Sequence, residues 1–156
     1  QNIGGSLGRQ GKTTPVILAT GMSTPAQIDR AFGLLNVHVS NIVLAHCNST
    51  YPCPNDQVNL RVMQAMFAEF PHATVGYSAH TTGLAPSVAA VALGAKYLEF
   101  HLTLDRSMWG SDQAASIEPT GAARLVKDVR VVESAMGDGE KRVTEAEAEA
   151  MRRLRG

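Results

Sequence analysis

The chain has 156 residues with 14 Lys+Arg against 14 Asp+Glu, a balance that removes the electrostatic basis for a nucleic-acid or anionic-membrane partner. A hydrophobic content of 44% with 18% charged residues excludes a disordered chain, and the length suits one domain with a core of its own. No apolar run approaches the roughly 20 residues of a membrane helix, and two cysteines, Cys47 and Cys53, are too few for a disulfide framework and point to reduced thiols in a cytoplasmic setting.

Residues 1–13 are Gly-rich and polar and read as a loose N-terminal segment. They hold neither the apolar stretch of a signal peptide nor an initiator Met, so a processed or incomplete chain is expected. PVILATG predicts a strand over Val16–Ala19. Thr24 then caps a helix, with Pro25 at its first position and Gln27 spaced for a capping box. NIVLAHC predicts a second buried strand ending near Cys47, followed by the polar loop NSTYPCPNDQ. Val58, Val62, Met66, Phe67 and Phe70 recur at helical spacing. TVGYS predicts a third strand, and SVAAVALGA a small-residue helix stopping at Gly94. KYLEFHLTL predicts a fourth strand, with Leu98, Phe100, Leu102 and Leu104 on one face and Tyr97, Glu99, His101 and Thr103 on the other. Pro119 opens a helix with an apolar stripe of Leu125, Val129, Val132 and Met136, ended by Gly137 and Gly139. TEAEAEAMRRLR predicts a charged closing helix with Thr144 and Glu147 as its capping box.

Strand and helix alternate four times, which calls for a parallel sheet with right-handed crossovers. It closes either as an open doubly wound sheet or as part of an eight-stranded barrel, which normally takes about 250 residues. In both, ligands bind at the carboxyl ends of the strands. There the sequence places Thr20-Gly21-Met22, then His46-Cys47-Asn48-Ser49 with Tyr51, then Ser78 and His80, then Glu99, His101 and the loop 105–116. Four strands delivering polar groups to one rim predict a site.

His38 and His72 lie away from that rim and are read as structural; His46 either hydrogen-bonds within the wall or touches ligand. His80 and His101 lie at the rim on neighbouring strands, where two neutral imidazoles can bind a divalent metal with positions left open. Glu99 is a partner that orients the His101 ring, a buried base, or half of a salt bridge within the sheet. Trp109, beside Gly110 and two Asp residues, either covers an apolar rim or forms part of a substrate lid. Tyr77 is expected to pack outward on a helix. Cys47 and Cys53 by themselves form a weak metal signal, and no Gly-rich dinucleotide or P-loop motif is present.

The runs PVILATGMST, HCNSTYPCP, VGYSAHTTG and ALGAKYLEFHLTLDRSMWGSDQAASIEP, in that order over residues 15–137, resemble the sialic acid synthases, meaning the N-acetylneuraminate synthases and their legionaminate and pseudaminate relatives. The resemblance implies an α/β fold of the (β/α)8 TIM-barrel type, here its last four βα units. The chain then divides into 1–13, a partial barrel over 14–140, and a charged helical tail over 141–156. It implies condensation of phosphoenolpyruvate with an N-acylated aminosugar, typically N-acetylmannosamine, with release of phosphate and a need for Mn²⁺ or Mg²⁺. By that resemblance His80 and His101 are the metal ligands. Tyr51 and Ser78 contact substrate or phosphate, and Ser49 stands where some members have a ligand-contacting Asn. Asp112 matches the acidic residue of a Gly-x-Asp motif, where it would contact the sugar, orienting it or relaying a proton; together with Glu99, the candidate base read above from the strand pattern, it makes the candidate catalytic pair. Many members have Ser-Asp-His where this chain has Ser78-Ala79-His80, so altered support of the metal is expected. The family's first four strands, with their phosphate-holding lysines, and its antifreeze-like domain are not matched, so the chain alone is expected to be weakly active or inactive. Two alternatives are a non-catalytic half-barrel that pairs with its own copy or a complementary half, and another metal-dependent barrel aldolase or sugar-phosphate synthase.

Overall fold

Short apolar runs alternating with capped helical segments produce four strands and five α-helices over residues 14–155, the part described by the computed structural model; the loose segment expected at 1–13 lies outside it. In order they are β1 (Val16–Ala19), α1 (Pro25–Asn36), β2 (Ile42–His46), α2 (Val62–Glu69), β3 (Thr74–Ala79), α3 (Ala85–Ala92), β4 (Tyr97–Phe100), α4 (Pro119–Met136) and α5 (Glu145–Arg155). All strand pairs are parallel, and the order is β1-β2-β3-β4. A doubly wound sheet reverses its strand order part-way. Consecutive order throughout is that of a barrel wall, so the sheet is a half-barrel of βα units, as expected.

Period-two alternation sorts the side chains. Register aligns Leu18 with Leu44, Leu44 with Val75, and Tyr77 with Leu98. These residues and Phe100 form one face, packed against Ile28 and Phe32 of α1, Met63 and Met66 of α2 and Ala90 of α3. Phe32 and Phe70 meet at 4.8 Å between ring centroids and tie α1 to the end of α2. α1 starts as expected: Thr24 Oγ1 accepts from Gln27 N–H, and Thr24 N–H donates to Gln27 Oε1. Thr144 and Glu147 repeat the capping pattern at α5, which buries no residue. No helix among the described residues is long and apolar enough to cross a membrane.

Tyr77 packs on the helix side, as expected, and burial pushes its phenol up to about 12. The unfolded phenol has its ordinary pKa of about 10 and loses its proton first. Tyr77 therefore contributes stability that is intact below pH 10 and lost as pH rises from 10 through 12. Urea midpoints measured across that window should fall more in the unaltered chain than in Tyr77→Phe. Equal losses in the two would contradict the assignment.

Two boundaries differ from the sequence expectation. The helix expected from Val58 begins only at Val62, because Asn59 adopts the left-handed region (φ 48°), which a right-handed helix cannot include; Val58 still reaches the core from the end of a short 3-10 turn at Asn55–Gln57. β4 ends at Phe100, not Leu104. Beyond it only Leu102 bridges in parallel to Ile117, through Thr103 N–H to Ile117 O and Ile117 N–H to His101 O, both 2.9 Å. Leu98 and Phe100 pack on the core as expected, but Leu102 and Leu104 are 59% and 80% exposed, because the strand that would have held them in the apolar face stops before them.

Candidate functional site

The face opposite the helices carries Gly76 and Ser78 of β3 against Tyr97 and Glu99 of β4. Ser78 is buried and is the register partner of half-buried Glu99. One alternation further, just past the two strand ends, stand His80 and His101, with ring centroids 5.4 Å apart and the rings edge to face. Tyr51, from the loop after β2, stacks on His101 at 4.7 Å and meets the His80 ring at 5.2 Å. Strands β2, β3 and β4 thus converge three rings on one point of the rim.

Hydrogen bonding fixes the His80 ring. Its Nδ1 lies 2.8 Å from the Asn48 carbonyl. A carbonyl only accepts, so Nδ1 carries the proton and Nε2 keeps its lone pair. The Cys47 Sγ packs 3.8 Å from the same Nδ1, and the Cys53 N–H donates to the His80 carbonyl at 2.8 Å, which anchors the backbone. His101 Nδ1 faces Asp112 Oδ2 at 3.6 Å. The Asp112 loop is tied down from its carbonyl: Ser116 Oγ donates to it at 2.8 Å and the Tyr51 hydroxyl at 3.3 Å. Asp105 Oδ1 accepts from the Ser107 hydroxyl and N–H, both at 2.7 Å, and these bonds hold its carboxyl below the usual range. Arg106 Nε donates to the Ala114 carbonyl at 2.8 Å and closes the loop.

Two imidazoles, one with its lone pair directed by a backbone carbonyl, fit a divalent transition ion better than Mg²⁺, which prefers oxygen. Among the described residues no three His, Cys, Asp or Glu side chains converge as a metal cage. The pair offers two nitrogens and leaves other positions to water or substrate.

The structure brings His80, His101, Tyr51 and Asp112 together, with Ser78 and Glu99 on the same sheet face below. Ser49 stands apart from them. It lines a neighbouring cavity of about 720 Å³ with Thr20, Cys47 and Asn48. Gly21 allows this approach, since a Cβ there would collide with Ser49 Oγ. Glu99 forms no ion pair among the described residues, and its charge, after burial, pushes the neighbouring Tyr97 phenol up.

His46 resolves to the wall: its Nε2–H donates to the Val58 carbonyl at 2.7 Å. His38 and His72 are exposed, away from the site. Trp109 is 99% exposed and covers neither rim nor site; its loop is held by polar bonds and gives the indole no apolar surface to close on. Cys47 and Cys53 are free thiols, and burial leads in pushing Cys53 up. Ala79, where many resembling sequences carry Asp, belongs to the helix-side core, on the face opposite Ser78. An Asp there would not support His80 from within the site. Asn48 and Ser116 act through a carbonyl and a loop closure, and nothing in their residue types marks either role in advance.

Residues 7–141 match the model of the NeuB family. The chain is 42% identical over 136 residues to N-acetylneuraminate-9-phosphate synthase from Homo sapiens, covering 87% of this chain and 38% of that protein. It is 43% identical over 135 residues to N,N'-diacetyllegionaminic acid synthase from Campylobacter jejuni, covering 85% and 40%. The crystal structure of N-acetylneuraminic acid (sialic acid) synthetase from Leptospira borgpetersenii serovar Hardjo-bovis superposes with a TM-score of 0.80 at 30% identity, over 92% of this chain and 50% of that one. The chain thus spans well under half of these curated relatives. With its four strand-end motifs inside the 7–141 match, the chain belongs to the NeuB family.

Proposed function

We propose that this half-barrel carries the metal-binding arc of a synthase condensing phosphoenolpyruvate with an N-acylated aminosugar of the N-acetylmannosamine type, releasing phosphate and forming a nonulosonate. The His80–His101 pair at the strand ends, with the His80 tautomer set by the Asn48 carbonyl, supports this most directly. Relatives named as synthases of N-acetylneuraminate 9-phosphate, diacetyllegionaminic acid and pseudaminic acid support the sugar-acid class.

His80 and His101 hold the divalent ion, Mn²⁺ or Mg²⁺, with Mn²⁺ favoured by the donor set. When bound, the ion supplies positive charge to the aldehyde oxygen, where negative charge grows as the carbon–carbon bond forms. Tyr51 covers the pair and excludes water from one side. Asp112, held by its own carbonyl, orients the sugar hydroxyls. Glu99 takes the proton of the water that adds as phosphate leaves, and Ser78 donates to the phosphate. Two free thiols fit the cytoplasmic setting we assign.

Phosphate release from phosphoenolpyruvate and N-acetylmannosamine with Mn²⁺ tests this. The four strands supply one arc of the rim, so the 156-residue chain should turn over far below the ordinary range of about 1–10³ s⁻¹. Turnover within that range would refute the single-arc account.

One observation favours pairing with a copy or a complementary half-barrel. Ile17, on the face opposite the helices, is 48% exposed, and β1 is an edge strand with no neighbour beyond it among the described residues. Sedimentation should show self-association at micromolar chain; a well-folded monomer throughout would argue against pairing with its own copy.

A further inference from the structure

We infer that Ser116 is a positioning residue for the histidine pair: with the Tyr51 hydroxyl it forms a clasp that joins the loop holding His80 to the loop holding His101. The inference rests on the metal site proposed above and adds what sets the spacing of its two rings.

Each histidine has a loop of its own. The segment 47–53 holds His80, with the Asn48 carbonyl on its Nδ1 and the Cys53 N–H on its carbonyl, both at 2.8 Å. The segment 112–117 holds His101. There the Ile117 N–H donates to the His101 carbonyl at 2.9 Å, and Asp112 Oδ2 faces the ring Nδ1 at 3.6 Å. The β3–β4 ladder pairs as far as Ala79 and Phe100, one residue short of both histidines. Past that point the spacing of the rings depends on what ties the two loops together.

Tyr51 belongs to the first loop and touches the second. Its ring stacks on His101 at 4.7 Å and meets His80 at 5.2 Å. Its hydroxyl lies 3.3 Å from both the Asp112 carbonyl and Ser116 Oγ. The proton count orients the three groups. A carbonyl only accepts, so Ser116 gives its one hydroxyl proton to the Asp112 carbonyl at 2.8 Å. Ser116 Oγ is left to accept, and Tyr51 shares its proton between Oγ and the carbonyl. Each of these two bonds is longer than the usual O–H···O separation of about 2.8 Å, so the clasp needs both acceptors. Ser116 is buried, which keeps out the water that could take the place of its hydroxyl. Its N–H donates to the Asp112 and Gln113 carbonyls at 3.1 and 3.2 Å. Those backbone bonds survive Ser116→Ala, so the turn keeps its fold while the clasp opens.

Nuclear Overhauser contacts and Mn²⁺ titration test this on the same chain. Without metal, the Tyr51 and His101 ring protons should give cross-peaks, and Ser116→Ala or Tyr51→Phe should weaken them. Each variant should lower Mn²⁺ affinity about tenfold, the lower end of what loss of a group supporting a metal ligand costs. The double variant should lose about 20-fold, well short of the product of about 100-fold, because both changes open one clasp. Ser107→Ala is the control. It removes a hydroxyl from the same loop that is bonded to Asp105, and it should leave both readouts unchanged. Full Mn²⁺ affinity in Ser116→Ala, losses that multiply in the double variant, or an equal loss in Ser107→Ala would overturn the inference. Absence of Mn²⁺ binding by the unaltered chain would overturn the proposed function; weakened cross-peaks in Ser116→Ala would then still support the clasp.

Discussion

Gly76→Ala is expected to destabilise the fold by about 3 kcal/mol, the upper end of overpacking costs. Gly76 sits within β3 opposite Tyr97 of β4. A Cβ there would lie 2.6 Å from Tyr97 Cβ and 2.7 Å from Tyr97 O. The second of these atoms is backbone and has no rotamer to escape into, so the two strands must part. The same β3–β4 ladder sets Ser78 beside Glu99 and brings His80 alongside His101, so the variant should also disorder the site. Gly33→Ala is the contrast. Gly33 is inside α1 with nothing within 4 Å of its Cβ position, so the change should stabilise by about 0.5–1 kcal/mol. Urea midpoints at unchanged m-value measure both. A Gly76→Ala protein as stable as the unaltered chain would mean that β3 and β4 are not this close.

Where the pattern was dense, the fold was legible in the sequence. Val16–Ala19, Ile42–His46 and Thr74–Ala79 emerge as strands from apolar runs, and Thr24-Pro25-Ala26-Gln27 specifies its helix start through short-range bonds that need no tertiary partner. The strand–helix alternation alone left a barrel wall and a doubly wound sheet open, because both begin with it; the four strand-end motifs, through the resemblance they carry, pointed to the half-barrel that the consecutive strand order shows. The stretch after Phe100 misled for a physical reason. Period two continues through Leu104, but no core lies beneath it, and the chain instead bridges to Ile117.

The two imidazoles were legible because strand ends share a rim. The Asn48 carbonyl that sets the His80 tautomer was not, since every residue has a carbonyl. Ser49, named through the resemblance, lies two residues from Tyr51 and lines the adjacent cavity, a placement that sequence distance alone does not reveal. Trp109 shows the limit of residue type, because the bonds from Asp105 and Arg106 hold its loop with the indole in solvent.

Replacing His80 and His101 together by Ala should lower Mn²⁺ affinity by more than about 100-fold, since loss of mere supporting groups around a metal ligand already costs about 10–100-fold. The change should leave stability nearly intact. Both rings stand past the strand ends, outside the helix-side core, and the bonds lost are local to the rim. The most direct measurement uses the ring signals themselves. The chain has five histidines, and Mn²⁺ broadens the resonances of the rings it contacts. Sub-stoichiometric Mn²⁺ should broaden His80 and His101 first, with His38, His46 and His72 still sharp. Simultaneous broadening of all five, or unchanged Mn²⁺ binding in the double variant, would contradict a two-histidine centre at the rim.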